Sequence, residues 1–405
     1  MSDRPIIAVD VMGGDFGPSV LVPGALDASR KYDLKVLLVG DRPKVVSVLD
    51  TLDTSGADYD LVQADEVVLM NERPADVLRR KKKSSIQIGC RLVKEGQADA
   101  VVSAGHSGAA VACGMFIIGR LKGVERPALC TIMPTEKDPV VLLDAGANVD
   151  CRPYHLFQFG LMGDAFARDI LDYESPRVSI LSIGEEEGKG NSQVKEAYEL
   201  LKMARNLNFI GNAEGRDIFT GDVDVVICDG FVGNIVVKMS EGLAKAITHM
   251  IKGVFKSSVT GMLGGLLAKR SFAQFARTVD YAEYGGAPLL GLKGLAIVCH
   301  GRSSSKAMTS AIRMAGTFVR KKTLDRLAET IQENDEPCKR PDGFLPSVSQ
   351  KTNIPSGPPF PLLPCGSALP RLLSGVSAPP PPPKARAPLR SSARSGQERF
   401  LSLND

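Results

Sequence analysis

The chain has 405 residues, an apolar fraction of 43% and a formal net charge of +4 at pH 7. This length suits one large or two moderate domains with a sizeable core. No stretch of about 18 uninterrupted apolar residues indicates a membrane span, and the first residues lack the long apolar run of a signal peptide. These features predict a cytoplasmic protein.

The positive charge is concentrated in the C-terminal segment. Residues 337–405 hold nine Lys or Arg and three Asp or Glu, a surplus of six, so the difference from +4 leaves residues 1–336 with a net charge of −2. The main body therefore has no electrostatic footprint for nucleic acid, and we predict no nucleic-acid partner.

Seven runs of β-branched and aliphatic residues predict strands, and helix-like segments lie between them. Continuous apolar strands that alternate with amphipathic helices are typical of a mostly parallel sheet covered on both faces, the doubly wound α/β architecture. The predicted strands are Ile6–Val11, Lys35–Val39, Ala100–Ser103, Val140–Leu143, Val178–Ile183, Val223–Cys228 and Leu295–Cys299, and the main predicted helices are Ile86–Lys94, Ala109–Ile118, Tyr154–Ile170, Gln193–Arg205, Ile235–Ile251 and Lys306–Val319.

Two further helices are predicted between Ile247 and Phe275, joined near Ser257–Gly261. This helical extension combines an apolar tip with surrounding lysines, a composition typical of interfacial membrane contact. Packing in a dimer explains the same apolar residues equally well.

The composition changes after Asn334. Residues 337–405 hold 15 of the 26 prolines, including the run Pro379–Pro383, and show almost no apolar periodicity. Such a composition predicts a disordered or polyproline tail. We therefore predict a catalytic domain over residues 1–336 and a tail over residues 337–405, which is either an extension without function or a docking segment for proline-binding modules.

Polar, glycine-rich loops follow six of the predicted strands. Ligands of open α/β sheets bind beyond the carboxyl ends of the strands, where glycine lets backbone amides approach a ligand and a helix start favours an anion. A strand-to-helix turn also needs glycine for purely local reasons, but the six loops together favour a phosphate site. Its candidate residues are Asp10, Gly13, Gly14, Asp15, Gly105, His106, Ser107, Gly108, Asp144, Asn191, Asp229 and Ser303.

Several other kinds of site lack sequence support. The eight cysteines are scattered, without Cys-x-x-Cys pairs or Cys/His clusters at metal-ligand spacing, so we expect reduced thiols and no metal. The Walker, dinucleotide and nucleophile-elbow glycine motifs are missing from the sequence. We therefore expect no nucleotide cofactor, and nothing motivates a covalent acyl-enzyme.

A run of five cations, Arg79–Lys83, stands out from the weakly acidic body. Such a run is commonly a solvated face. It can also form a basic patch for an acidic protein or for phosphate groups.

Taken together, the motifs of this chain resemble those of the bacterial phosphate acyltransferases of phospholipid synthesis, also called acyl carrier protein:phosphate transacylases. The resemblance extends from about Ile6 to Phe318. The motifs are Asp-Val-Met-Gly-Gly-Asp at 10–15, Leu-Arg-Arg-Lys-Lys-Lys-Ser-Ser at 78–85, Ser-Ala-Gly-x-x-Gly-Ala at 103–109, Arg-Pro-Ala-Leu at 126–129, Leu-Leu-Asp-Ala-Gly-Ala-Asn at 142–148, Gly-Asn-Ala-Glu-Gly-Arg-Asp at 211–217 and Cys-Asp-Gly-Phe-Val-Gly-Asn at 228–234.

The resemblance implies reversible transfer of a long-chain acyl group from acyl carrier protein to inorganic phosphate. The acyl phosphate product would supply a membrane-bound glycerol-3-phosphate acyltransferase. It also implies a homodimer with a fold akin to phosphotransacetylase and isocitrate dehydrogenase, peripheral membrane contact through a helical tip, and no redox cofactor. Arg79, Arg80, Lys81 and Lys82 would then contact the acidic carrier protein.

The chemistry implied is direct attack of a bound phosphate oxygen on the thioester carbonyl, which positioning alone can accelerate strongly. We expect Lys189 to balance phosphate charge, and Asn148, Asn191 or Asn234 to donate to the developing oxyanion. His300 is the candidate to protonate the leaving thiolate or to orient phosphate, with packing at a strand end as the alternative.

The chain departs from the family pattern at positions 106 and 107, where it has His-Ser in place of Asn-Thr. Both pairs keep hydrogen-bonding groups at a helix start, so we expect activity to survive. Two alternatives to the main function stay open. One is a phosphotransacetylase-like transfer from a short acyl-coenzyme A, and the other is a non-catalytic regulator that binds lipid or acyl phosphate.

Overall fold

The strands of this protein form one sheet in a computed structural model that describes residues 4–270 and 285–338, with side chains described up to residue 334. The strand order is β3-β2-β1-β4-β11-β10-β5-β6-β9-β7-β8. The strands are β1 (Ile6–Asp10), β2 (Lys35–Gly40), β3 (Tyr59–Gln63), β4 (Ala100–Ser103), β5 (Ala128–Met133), β6 (Val140–Leu143), β7 (Val178–Leu181), β8 (Phe209–Ala213), β9 (Val225–Ile227), β10 (Ala287–Leu290) and β11 (Leu295–Val298).

Helices connect most of these strands. They are α1 (Pro18–Tyr32), α2 (Arg42–Leu49), α3 (Pro74–Arg80), α4 (Ser85–Lys94), α5 (Ser107–Cys113), α6 (Pro153–Ile170), α7 (Ser192–Lys202), α8 (Gly230–Lys256), α9 (Val259–Leu267), α10 (Ser305–Arg320) and α11 (Thr323–Cys338). A π-helical turn over Gly114–Ile118 continues α5, and a 3₁₀ turn spans Asp217–Phe219. The mostly parallel α/β architecture predicted from the sequence is confirmed.

Successive residues of the central strands point to opposite faces of the sheet, and both faces are buried. Ile7 and Val9 of β1 belong to a core cluster on one face that includes residues of α1, α6 and α10. Ala8, between them, belongs to a second cluster formed with residues of α4 and α5. Burial on both faces explains why these strands are continuous apolar runs rather than alternating ones.

The sheet reverses its direction in the middle. Strand β10 is antiparallel to both β11 and β5, and β5 is antiparallel to β6. The strands β1, β2, β3, β4 and β11 therefore run one way, while β6, β7, β8 and β9 run the other way. As a consequence, the carboxyl ends of the two groups lie at opposite edges of the sheet.

The seven predicted strands and the main predicted helices are all present, with shifted ends. The largest shift is in α8, which begins at Gly230 and ends at Lys256 rather than spanning Ile235–Ile251. The sequence did not indicate β3, β5, β8 and β10, which lie at the sheet edges or in the reversal. The joint of the predicted helix pair is confirmed at Ser257 and Ser258, while Phe275 and the tail beyond Cys338 lie outside the described residues.

Helix α8 begins directly against the loop that follows β6. A methyl group built on Gly233 would lie 1.9 Å from the carbonyl oxygen of Asp144, whereas one built on Gly242 of the same helix would meet no atom within 4 Å. Only glycine therefore allows the first turn of α8 to approach this loop.

Gly233→Ala is expected to destabilise the protein strongly, by about 3 kcal/mol or more, because the backbone of Asp144 cannot yield to a methyl group at that distance. The matched variant Gly242→Ala should leave stability unchanged or raise it by up to about 1 kcal/mol, because alanine is the better helix former. Urea unfolding followed by circular dichroism measures both. Equal stability of the two variants would contradict this contact.

Candidate active site

The loops predicted to form one phosphate site are divided between the two edges of the sheet. The first loop cluster consists of residues 10–18, 103–108 and 300–304, after β1, β4 and β11. The second loop cluster consists of residues 144–148, 184–191 and 229–234, after β6, β7 and β9. At about 3.3 Å per strand residue, four-residue strands alone separate the clusters by roughly 13 Å. One phosphate ion cannot contact both clusters of a single chain.

The first loop cluster is held together by close backbone contacts. The amide of Asp15 donates to the carbonyl oxygen of Gly301 at 2.8 Å. A methyl group on Gly13 would lie 2.6 Å from the amide nitrogen of Gly105, and Gly14 has a φ of +73°. Close packing between these loops is enough to require glycine at positions 13 and 14.

Asp10 is buried at the centre of the first loop cluster. Its carboxylate accepts hydrogen bonds from the Ser103 hydroxyl at 2.8 Å and from the Met12 amide at 3.2 Å. Burial raises the pKa of Asp10, while these hydrogen bonds and one from Ser85 oppose the shift. The adjoining cavity, of about 10 Å³, holds about one water molecule. The predicted contact between Asp10 and phosphate stays a prediction.

His106 caps the N-terminus of α5. Its Nδ1 atom accepts a hydrogen bond from the Ala109 amide at 3.2 Å. Asparagine, the residue expected from the family pattern, commonly fills this role through its side-chain oxygen. The ring nitrogen of His106 replaces that oxygen, and Ser107 beside it is exposed.

His300 and Ser303 also lie in the first loop cluster. The Nδ1 atom of His300 accepts from the Arg302 amide at 3.2 Å, and its carbonyl oxygen accepts from the Ser303 amide at 2.9 Å. His300 is therefore at the edge opposite Lys189, and a single chain does not bring these two candidates together.

In the second loop cluster, the carboxylate of Asp144 organises the backbone. It is fully buried and accepts five hydrogen bonds, of 2.8 to 3.1 Å, from four backbone amides and one side-chain amide. Burial raises the pKa of Asp144, while hydrogen bonds, led by that from Ala147, oppose the shift. All five partners donate to the carboxyl group, an arrangement that suits its ionised form.

The side chain of Asn148 is fully engaged inside the protein. Its Nδ2 atom donates to Asp144 and to the carbonyl oxygen of Pro127, both at 2.8 Å. An amide nitrogen has two hydrogens, so none is left for an oxyanion in this conformation. A catalytic role for Asn148 stays a prediction, and its contacts favour a role in shaping the loop.

Two other candidates cap helices. The Asn191 side chain accepts from the Val194 amide at 2.8 Å at the start of α7, and Asp229 accepts from the Val232 amide at 2.9 Å at the start of α8. Their side-chain oxygens satisfy the first turns of the two helices. The remaining amides and the dipoles still favour an anion at these helix starts.

Lys189 and Asn234 of the second loop cluster carry donors, and their side chains serve neither as helix caps nor as partners of Asp144. Both are exposed, and neither side chain hydrogen-bonds or pairs with a residue in the described part of the chain. Asn234 lies close to the Asp144 loop, because a methyl group on Gly146 would be 3.4 Å from its Cβ atom. We therefore regard the second loop cluster as the candidate active site.

Unpaired polar atoms surround the loop that carries Lys189. The Ser182 hydroxyl, Gln193 Nε2 and Asn212 Oδ1 are buried without a hydrogen-bond partner among the residues that the structure describes. Asn212 still donates to the carbonyl oxygen of Glu186 at 2.7 Å, which places it against this loop. Buried polar atoms without partners are rare in folded proteins, so this loop is suited to a polar ligand or to ordered water.

The predicted carrier patch lies beside the first loop cluster. Pro74 of α3 lies 3.1 Å from the position of a methyl group on Gly108. Lys81 is half-buried and pairs with Glu72 at 2.7 Å, while Arg79, Arg80 and Lys82 are exposed. The carrier contact stays a prediction, for which three of the four residues are accessible.

No cluster of three or more metal-ligating side chains occurs within residues 4–270 and 285–338. The six cysteines whose side chains the structure describes are free thiols, five of them buried. Burial raises the pKa of Cys151, the half-buried one, to about 12. Cys151 is therefore a thiol at neutral pH rather than a nucleophilic thiolate.

His106→Ala is expected to lower the free energy of unfolding by about 0.5–2 kcal/mol, because the Ala109 amide loses its acceptor. His106→Asn should restore most of that loss, because asparagine supplies a capping oxygen. Urea unfolding of both variants measures the difference. If the alanine variant is as stable as the unmodified protein, the capping role of His106 is wrong.

Comparison with known proteins gives the family. The chain matches the family model described as "Fatty acid synthesis protein" over residues 6–326. A phosphate acyltransferase of Nitratidesulfovibrio vulgaris (strain DP4) is 64% identical over 331 residues, which cover 82% of this chain and 96% of the relative. A phosphate acyltransferase of Lawsonia intracellularis (strain PHE/MN1-00) is 60% identical, with 82% and 95% covered.

Solved structures with low sequence identity share the fold. A phosphotransacetylase from Streptococcus pyogenes matches with a TM-score of 0.56 and 20% identity, covering 79% of this chain and 95% of its own. The EutD phosphotransacetylase from Staphylococcus aureus matches with a TM-score of 0.51 and 18% identity, covering 78% and 94%. The resemblance in sequence, the family match and the two close relatives agree, and the chain belongs to the phosphate acyltransferase family.

Proposed function

We propose that this protein transfers a long-chain acyl group from acyl carrier protein to inorganic phosphate. The acyl phosphate formed would be consumed by a membrane-bound glycerol-3-phosphate acyltransferase in phospholipid synthesis. Family membership supports the acyl and phosphate chemistry. The observation that carries the proposed site is the pair of unengaged donors, Lys189 and Asn234, beside the starts of α7 and α8.

In this proposal, phosphate occupies the second loop cluster. The ammonium group of Lys189 and the first turns of α7 and α8 offset its negative charge. Strands β7 and β9 are neighbours in the sheet, so the loops that follow them lie side by side. Asn234, the fifth residue of α8, then donates its amide hydrogen to the oxyanion that develops on the thioester carbonyl.

The reaction balances without a covalent enzyme intermediate. An oxygen of hydrogen phosphate attacks the carbonyl carbon, a new carbon–oxygen bond forms, and the carbon–sulfur bond breaks. The proton of hydrogen phosphate goes to the departing sulfur, which leaves as a thiol. Positioning and charge stabilisation supply the rate enhancement.

Asn148 and His300, which are catalytic candidates in the sequence, have other roles in this proposal. Asn148 fixes the conformation of the Asp144 loop, because both of its amide hydrogens are already donated. His300 takes no part in proton transfer within one chain, because it lies at the opposite edge of the sheet.

A homodimer would cover an apolar stripe on α8. The exposed residues of that stripe recur every three or four positions on one helix face, and beyond the first turn none of the α8 side chains is buried. A continuous apolar stripe of this kind is typical of an interface. The stripe consists of Met239, Leu243, Ile247, Met250 and Val254.

Helix α9 is proposed to contact the membrane surface. None of its residues is buried, and Leu263, Leu266 and Leu267 are 60%, 67% and 80% exposed. Lys256 and Lys269 flank the helix. Among the described helices, none combines the length and the hydropathy that a membrane span requires. This composition suits a helix that lies in the interface of an anionic membrane.

The function is tested by incubating the protein with palmitoyl-acyl carrier protein and phosphate and measuring acyl phosphate as its hydroxamate. We expect product from the full chain and equally from a version that ends at Glu336. Faster turnover with acetyl-coenzyme A would favour the phosphotransacetylase-like alternative. Lack of product from every donor would contradict catalysis.

A matched pair of lysine variants locates the site in this assay. Lys189→Ala should raise the KM for phosphate about tenfold or more, the effect of about 1.4 kcal/mol of lost charge interaction. Lys195→Ala, an exposed lysine of α7, should leave both constants unchanged. Unchanged kinetics of Lys189→Ala would remove Lys189 from the site.

Exchanging Leu263 and Leu266 for Glu should reduce co-sedimentation with phosphatidylglycerol vesicles at least tenfold. The loss of two leucine insertions, each worth about 1.5–3 kcal/mol when fully buried, causes this reduction. Met203→Glu, at an exposed apolar site just after α7, is the control. Binding that is unchanged by the double exchange would dispose of the membrane contact.

A further inference from the structure

An arginine-rich groove lies outside both loop clusters. It has a volume of about 460 Å³ and is lined by Met115, Phe116, Arg120, Glu125, Arg126 and Arg152. This volume falls within the range of small-molecule sites, roughly 300–1,000 Å³. Arg126 is the first residue of the Arg-Pro-Ala-Leu motif at 126–129.

The groove carries a surplus of positive charge. Its single carboxylate, Glu125, pairs with Arg152 and lies 3.0 Å from the Nε2 atom of His155. His155 Nδ1 accepts from the Arg152 amide, so the neutral ring carries its proton on Nε2 and donates it to Glu125. Burial lowers the pKa of His155, which favours this neutral form. One negative charge therefore faces three arginines.

Among the described residues, two of the three arginines have no counter-charge. Arg120 donates to the backbone carbonyl of Glu125, a neutral acceptor. Arg126 is exposed, and within the described residues its guanidinium has no hydrogen bond or ion pair. A planar guanidinium offers paired donors that match the oxygens of a phosphate group.

The groove adjoins the second loop cluster. The carbonyl oxygen of Pro127, the residue after Arg126, accepts from Asn148 at 2.8 Å. Cys151, just before the helix that Arg152 caps, contacts the carbonyl oxygen of Asn148 through its sulfur at 3.6 Å. The same Asn148 carbonyl accepts from the Gly230 amide at 2.7 Å, at the start of α8. A ligand in the groove would therefore reach toward Asn234.

An apolar wall accompanies the charge. Phe116 is 71% exposed, and Met115 precedes it along the groove. A free phosphate ion has no apolar part that could contact this wall, whereas the organic arm of a phosphate ester can contact it.

We propose that Arg126 and its groove bind a phosphate oxyanion of the substrates. Two sources share this chemistry: the phosphodiester of a phosphopantetheine arm that presents the thioester, and inorganic phosphate itself. This inference rests on the proposed function, because it assumes that the second loop cluster is the site of acyl transfer. In this arrangement, the phosphate group of the substrate lies in the groove and its reacting carbonyl carbon lies near Asn234.

The test is calorimetric titration of the full chain with 4′-phosphopantetheine, with pantetheine and with inorganic phosphate. We expect 4′-phosphopantetheine to bind at least tenfold more tightly than pantetheine. Arg126→Ala should weaken the binding of the phosphorylated ligand tenfold or more, and Arg313→Ala, an exposed arginine on α10, should leave it unchanged. Loss of inorganic phosphate binding in Arg126→Ala would instead assign the groove to the free ion.

Binding is measured without turnover, so this result is independent of the acyl phosphate assay. If Arg126→Ala binds every probe like the unmodified protein, or if no phosphorylated probe binds the unmodified protein at millimolar concentration, the inference is overturned. If the protein binds 4′-phosphopantetheine through Arg126 but forms no acyl phosphate, the proposed role of the groove is supported and the proposed function is contradicted.

Discussion

The buried carboxylate of Asp144 is the constraint on which the second loop cluster depends. Five donors surround it, and its position at the end of β6 fixes the path of residues 144–148. The same residue limits the approach of α8, because its carbonyl oxygen leaves no room for a side chain at Gly233. A carboxylate left without these donors would face a large desolvation cost. The loop and the first turn of α8 therefore form one rigid unit that presents Asn234.

The sheet reversal determines which residues can act together. The sequences of strands β10 and β5 contain no signal for direction, because a strand has the same alternation whichever way it runs. The fold class, the buried strands and most helices follow from apolar patterns that local sequence contains. The separation of His300 from Lys189 follows instead from pairing between strands that are distant in the chain. Patterns within single segments contain no information about such pairing, so they predict one site where the fold forms two loop clusters.

The glycines of the first loop cluster show that a glycine-rich loop does not by itself identify a ligand site. Gly13 and Gly105 pack against each other, and Gly14 approaches the carbonyl oxygen of Gly301. Backbone packing alone explains these positions, so glycine after a strand is weak information about ligands. The order of the motifs along the chain correctly identified the phosphate acyltransferase family. It could not rank the individual loops, because the ranking depends on which polar groups the fold leaves unpaired.

The loops are difficult to rank from the sequence largely because the same polar residues suit helix capping and ligand binding. His106, Asn191 and Asp229 are polar residues at positions where a ligand of this architecture is expected, yet each accepts a hydrogen bond from its own helix. A polar side chain between a strand and a helix satisfies both descriptions equally well in sequence. Cationic side chains have no acceptor with which to cap, and Asn234 lies beyond the N-cap position of α8. Lys189, Asn234 and Arg126 therefore do not serve as caps, and their donors remain available after the helices are satisfied. In loops of this architecture, donors that cannot serve as caps are therefore the better guide to the ligand.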